Sequence, residues 1–85
     1  MLFNSNQDIY DFAVNLQQTF NEESCPELAE AIANAFNTGV TASEQLGELR
    51  FVFQRIKDGW GNPSPDLKIS IEQAIDAINK AFRRK

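Results

Sequence analysis

Thr41-Ala42-Ser43-Glu44-Gln45-Leu46-Gly47-Glu48-Leu49-Arg50-Phe51-Val52-Phe53-Gln54-Arg55-Ile56-Lys57-Asp58 runs into Gly59-Trp60-Gly61-Asn62-Pro63-Ser64-Pro65-Asp66. The first part reads as a helix over about 42–58. Thr41 and Glu44 have the spacing of a capping box, in which the hydroxyl accepts from the Glu44 backbone N–H and the carboxylate reaches back. Leu46, Leu49, Val52, Phe53 and Ile56 then recur at three- and one-residue steps, which keeps them on one side of a helix with 3.6 residues per turn. Gly39, just before, suits the left-handed residue that closes a preceding helix. Phe51 falls opposite this stripe, among Glu44, Gly47, Arg55 and Asp58. Its expected role is contact with a second neighbouring helix; the alternative is an exposed aromatic that docks a partner.

In the second part, Pro63 and Pro65 forbid a continuing helix, because each lacks an N–H and restricts the residue before it. Ser64-Pro65-Asp66 restarts one, with Ser64 as cap, Pro65 at the first helical position and Asp66 favoured by the helix dipole. Trp60 stands between two glycines. Trp is enriched among binding hot spots, but a small bundle has little else to close its end, so a core-covering role is favoured.

The same patterns extend outward. Helix one is expected over about 5–22, capped by Asn4 or Ser5, with Ile9, Phe12, Ala13, Leu16 and Phe20 as its buried stripe. Tyr10 and Val14, four apart, widen its apolar arc toward a second neighbour or another subunit. Helix two is expected over about 25–38, with Ser24 and Glu27 at capping-box spacing, Pro26 in the first turn, and Leu28, Ala29, Ala31, Ile32, Ala35 and Phe36 inside. Helix four is expected over about 65–83, with Leu67, Ile71, Ala74, Ile75, Ile78, Ala81 and Phe82 inside and Ile69 off the stripe. The connections are short, as between antiparallel neighbours. The expected fold is all-α: a small four-helix bundle in a single domain, 1–85, with helix three central.

The 85-residue chain has no His and one Cys. That removes Ser–His and Cys–His nucleophilic catalysis and any ordinary zinc site. No glycine pattern matches a phosphate or dinucleotide loop. The carboxylates lie on polar helix faces rather than in a desolvating cleft, where acid–base work would need them. Neither an enzyme nor a cofactor nor a small-molecule ligand is expected. The N-terminus has no basic start and no apolar core segment, and no apolar run approaches the roughly 20 residues of a membrane span. With a lone Cys demanding no oxidising compartment, a cytoplasmic protein is expected.

Charge is unevenly placed. Residues 1–49 hold eight acids and no Lys or Arg, whereas residues 50–85 hold eight bases and four acids, so halves of −8 and +4 give the net −4. The favoured reading is that the acidic half folds against the basic half, each contact contributing little; the other is steering of a basic partner to helices one and two. Helix two, Gly39 and helix three have a helix-turn-helix outline, but the second helix starts with Thr41, Ser43, Glu44 and Glu48 rather than with groups that read bases. Nucleic-acid binding through Lys80, Arg83, Arg84 and Lys85 is a remote alternative.

The pattern therefore points to non-enzymatic protein–protein interaction, with a protein partner or in a homo-oligomer. The alternative is an immunity- or inhibitor-type protein whose acids mask a basic site on a partner enzyme. Candidate partner-binding residues are those the bundle does not evidently need, Tyr10, Val14, Phe51, Trp60 and Ile69, together with the acids Glu27 and Glu30 of helix two.

Overall fold

The computed structural model describes residues 3, 5–23, 25–39 and 41–83. These form four helices and no strand: α1 (Asn6–Glu22), α2 (Pro26–Thr38), α3 (Ala42–Lys57) and α4 (Pro65–Arg83). The protein is an all-α four-helix bundle, and each expected helix lies within a residue of its observed bounds. The caps explain why. Ser5 Oγ accepts from the Asp8 N–H at 3.3 Å, Thr41 Oγ1 from the Glu44 N–H at 3.2 Å, and Ser64 Oγ from the Leu67 N–H at 3.2 Å. Each side chain satisfies one of the first-turn donors that a helix leaves unpaired. The proposed caps Asn4 and Ser24, like Arg84 and Lys85 of the basic cluster, lie outside the described residues. Among the described residues, no helix is long and apolar enough to cross a membrane.

Gly39 corrects one expectation. Its backbone is extended, at φ −86° and ψ 140°, rather than left-handed. The glycine is needed for space: a Cβ there would sit 2.6 Å from the Gln45 backbone N and 2.9 Å from the Glu44 carbonyl carbon. The α2–α3 turn thus closes directly onto the first turn of α3. Gln45 ties the junction together. Its Nε2 donates to the Phe36 carbonyl at 3.1 Å, and its Oε1 accepts from the Tyr10 hydroxyl at 3.2 Å. One half-buried amide therefore joins α1, α2 and α3.

The apolar stripes converge on one core. Ile9, Ile32, Leu49, Phe53, Ile56, Ile71 and Ile78 are its fully buried large side chains. Phe53 of α3 meets Phe12 of α1 edge-on at 5.7 Å, and Phe12 in turn meets Phe3 at 5.5 Å, a geometry that aromatic quadrupoles favour. Val52, Phe36, Leu67, Ala77 and Phe82 pack around this centre as a half-buried shell. Successive helices pack broadly on one another, whereas the α1–α4 seam is thin. Lys57 Nζ lies 3.9 Å from Glu72 Oε1, and Arg50 Nη1 donates to Asn79 Oδ1 at 2.7 Å. Residues ascending α3 thus meet residues descending α4, so this pair is antiparallel.

The two charged halves pack together along α2–α3 and, more thinly, along α1–α4. α1 and α2 form one hairpin, α3 and α4 the other. The Lys57–Glu72 pair lies within the second hairpin. Glu22, Glu23, Glu27, Glu30 and Glu48 are exposed and make no ion pair with the described bases. Arg50 instead hydrogen-bonds Asn79 and lies over the Phe82 ring, 4.8 Å from its centroid.

Two substitutions test this account. Phe53→Ala should cost about 3–5 kcal/mol through lost burial and a cavity, a large share of what so short a chain has. Gly39→Ala should cost about 1–3 kcal/mol by overpacking, because the obstructing atoms are backbone. Urea unfolding followed by circular dichroism would measure both. A Gly39→Ala protein as stable as the wild type would remove the close-approach explanation.

Candidate functional site

The end of α3 sets up the site. The Gly59 N–H donates to the Ile56 carbonyl at 3.0 Å and the Trp60 N–H to the Arg55 carbonyl at 3.1 Å. Gly59 has φ +122°. This is a Schellman closure, with glycine at the position where a Cβ is penalised. Such closures bring the residue after the glycine against the last helical turn. Here that contact is Trp60 on Arg55, whose guanidinium carbon lies 4.1 Å from the ring centroid. Cation and aromatic attract each other in this geometry.

The chain then turns back through Gly61 (φ +83°) and Asn62 (φ +51°). A Cβ on Gly61 would run into the Leu28 side chain of α2. Glycine thus suits residue 61 twice, by its positive φ and by the close approach of the loop to Leu28. Leu28 is buried and Trp60 half-buried against the core, so the core-covering role expected of Trp60 agrees with its placement.

Between loop and helix an open notch of about 280 Å³ is lined by Cys25, Pro26, Glu27, Leu28, Trp60 and Gly61. Its walls are largely apolar, and the start of α2 brings acids to one side of it. Glu27 is one lining residue and Glu30 stands one turn further along α2. Glu23 lies two residues before Cys25, with its backbone carbonyl 3.8 Å from the Cys25 thiol. At the opposite end of the bundle a smaller cleft of about 60 Å³ lies between α1 and α4, lined by Phe3, Ile9, Ala77 and Lys80 among others.

Two of the sequence-derived candidates, Trp60 and Glu27, thus meet in one place, with Glu30 adjacent. The others do not join them. Val14, Phe51 and Ile69 are exposed, at 45%, 56% and 55% of their surface. They stand on three different helices. The antiparallel register set by the 57–72 and 50–79 pairs puts Phe51 level with residue 78, nine residues or about 13 Å along the axis from Ile69. The expected contact of Phe51 with a second helix is not made, because its side of α3 faces away from both neighbours. Tyr10 is needed by the bundle after all. Its ring lies 5.7 Å from that of Phe36 and its hydroxyl reaches Gln45.

Sequence reading missed Leu28, Pro26 and Gly61 as lining residues, and Arg55 as the group that holds Trp60. The paired glycines around Trp60 hinted at the tight closure. Nothing local indicates that Gly61 approaches Leu28, thirty-three positions away. Compared with protein-family models, with curated proteins and with solved structures, the chain matches none.

The Gly61–Leu28 contact can be tested by a double-mutant cycle. Gly61→Ala should destabilise the fold and move Trp60 emission to longer wavelength as the loop lifts. Leu28→Ala should relieve part of that clash, so that the two costs fall short of additivity by about 0.5–3 kcal/mol. Strict additivity would show that the two positions do not touch.

Proposed function

We propose that this protein is a non-enzymatic interaction module that docks a protein partner at the end of the bundle formed by the α3–α4 loop and the start of α2. The observation that carries this reading is the notch itself. An aromatic, a leucine and a proline line an open cavity at a surface where the acids make no ion pair with the described bases. An apolar centre with a polar rim is the usual anatomy of a docking surface. At about 280 Å³ the notch is comparable to the smallest ligand pockets, roughly 300 Å³, and has room for an inserted side chain.

The experiment compares the proteins retained from a lysate of the source cells by the wild type, by Trp60→Ala and by Glu27→Lys, each first shown to be folded. A bound protein should be retained by the wild type and lost from both variants. For Trp60→Ala the expected weakening is about 30-fold or more, the cost of truncating a hot-spot aromatic. An unchanged set of bound proteins would overturn the proposal.

A second reading is self-association, supported by the exposure of Phe51 on a face of α3 that no neighbouring helix covers. Sedimentation equilibrium of the wild type and Phe51→Ser decides it. A concentration-dependent dimer that is lost in the variant supports it, and a monomer throughout excludes it.

A further inference from the structure

The acids around the notch say what kind of partner fits it. We propose, on the reading of the notch as a docking surface, that its occupant is a cationic protein segment that inserts one apolar side chain between Trp60 and Leu28 while its neighbouring Lys or Arg residues face Glu23, Glu27 and Glu30.

Charge and geometry lead there together. The first 49 residues hold no base, so no cation on α1 or α2 offsets the acids beside the notch. Arg55 of the other hairpin has its guanidinium over Trp60, 4.1 Å from the ring centroid, and makes no ion pair with the described acids of α2. Glu23, Glu27 and Glu30 are all exposed and make no ion pair with the described bases. Leaving three carboxylates without cations raises the local negative potential, which speeds the approach of a basic chain and disfavours acidic ones. It disfavours nucleic acid for the same reason, since binding there requires protein cations to replace counterions. Electrostatics alone would give a weak, unspecific encounter. The apolar walls supply the anchor, because buried apolar contact carries affinity while rim charges mainly set on-rate and partner choice.

Glu27 and Glu30 lie three residues apart on one face of α2, and Glu27 is itself a wall of the notch. A segment with its anchor in the notch therefore passes the Glu27 carboxylate at once and meets Glu30 a turn later. This places the required bases next to the anchor in the partner's sequence.

Selection from a random peptide library displayed on phage, with the immobilised full chain at physiological salt, tests the idea without presupposing a partner. Enriched peptides should carry net positive charge around one apolar residue. Their affinity should fall by about fivefold for each ion pair lost in a Glu23→Lys, Glu27→Lys and Glu30→Lys series, and the fall should shrink as salt is raised. They should also be lost from folded Trp60→Ala. Peptides that depend on Trp60 but are neutral or acidic, or that ignore the three charge reversals, would overturn the cationic partner while leaving the docking surface intact. Peptides indifferent to Trp60→Ala, or no enrichment, would overturn both. A dimer of the wild type that Glu27→Lys abolishes would mean that a second copy occupies the notch, and would overturn the foreign segment.

Discussion

The structure depends on the burial of one face of α3. Leu46, Leu49, Phe53 and Ile56 are all buried, and Phe53 reaches across to Phe12 of α1. Short helices are marginal by themselves in water, and tertiary burial of an apolar face holds them. In 85 residues there is room for one such core. α3 lies between α2 and α4 and touches α1 through that aromatic pair, so every other helix is oriented by it. The Arg50 contacts to Asn79 and Phe82 then fix the register of α4. The two ends of α3 are closed by glycines in different ways. Gly39 gives the space for a backbone approach at one end, and Gly59 gives the positive φ that a Schellman turn requires at the other. The notch follows from the second closure.

The hairpin architecture also accounts for the charge asymmetry. Chain order places acidic α1 beside acidic α2, and α3 beside the basic α4. The halves meet along α2–α3, where the described polar contacts come from Gln45, and along the thin α1–α4 seam. Exposed ion pairs contribute little in any case, so folding gains little by burying acids against bases. Acids of the first hairpin are thereby left at the surface, where they shape what can approach.

Much of this fold was legible in the sequence, because the signals are local. Caps at Ser5, Thr41 and Ser64 and apolar steps of three and four residues specify where each helix starts and which side is wet. The buried set of α1, Ile9, Phe12, Ala13, Leu16 and Phe20, is the one its spacing indicates. What local pattern cannot carry is the fate of residues off the stripe. Phe51, Ile69 and Tyr10 have similar credentials in sequence, yet Tyr10 packs on Phe36 while Phe51 and Ile69 face outward. That outcome is decided by how many neighbours each helix has and at what angle, which is a property of the assembled bundle. Gly61 is the sharper case. It reads as an ordinary turn residue, and its steric role exists only because Leu28 arrives from elsewhere in the chain.

The same closure bears on how well the notch is suited to recognition. The Trp60 backbone is held by its N–H bond to the Arg55 carbonyl, and its side chain by the guanidinium over the ring. A side chain already ordered in the free protein has little rotamer freedom left to lose when a partner arrives, and that loss otherwise opposes association by about 0.5–1.5 kcal/mol per side chain. Arg55 performs this service while making no ion pair with the described acids of α2, and its guanidinium keeps its charge over the aromatic face. A lysine at position 55 would retain the charge but not the flat contact, because an ammonium is compact and strongly hydrated. The stacked arginine therefore does two things at once. It holds the aromatic wall of the notch still, and it leaves the carboxylates of Glu23, Glu27 and Glu30 exposed, with no ion pair to a described base.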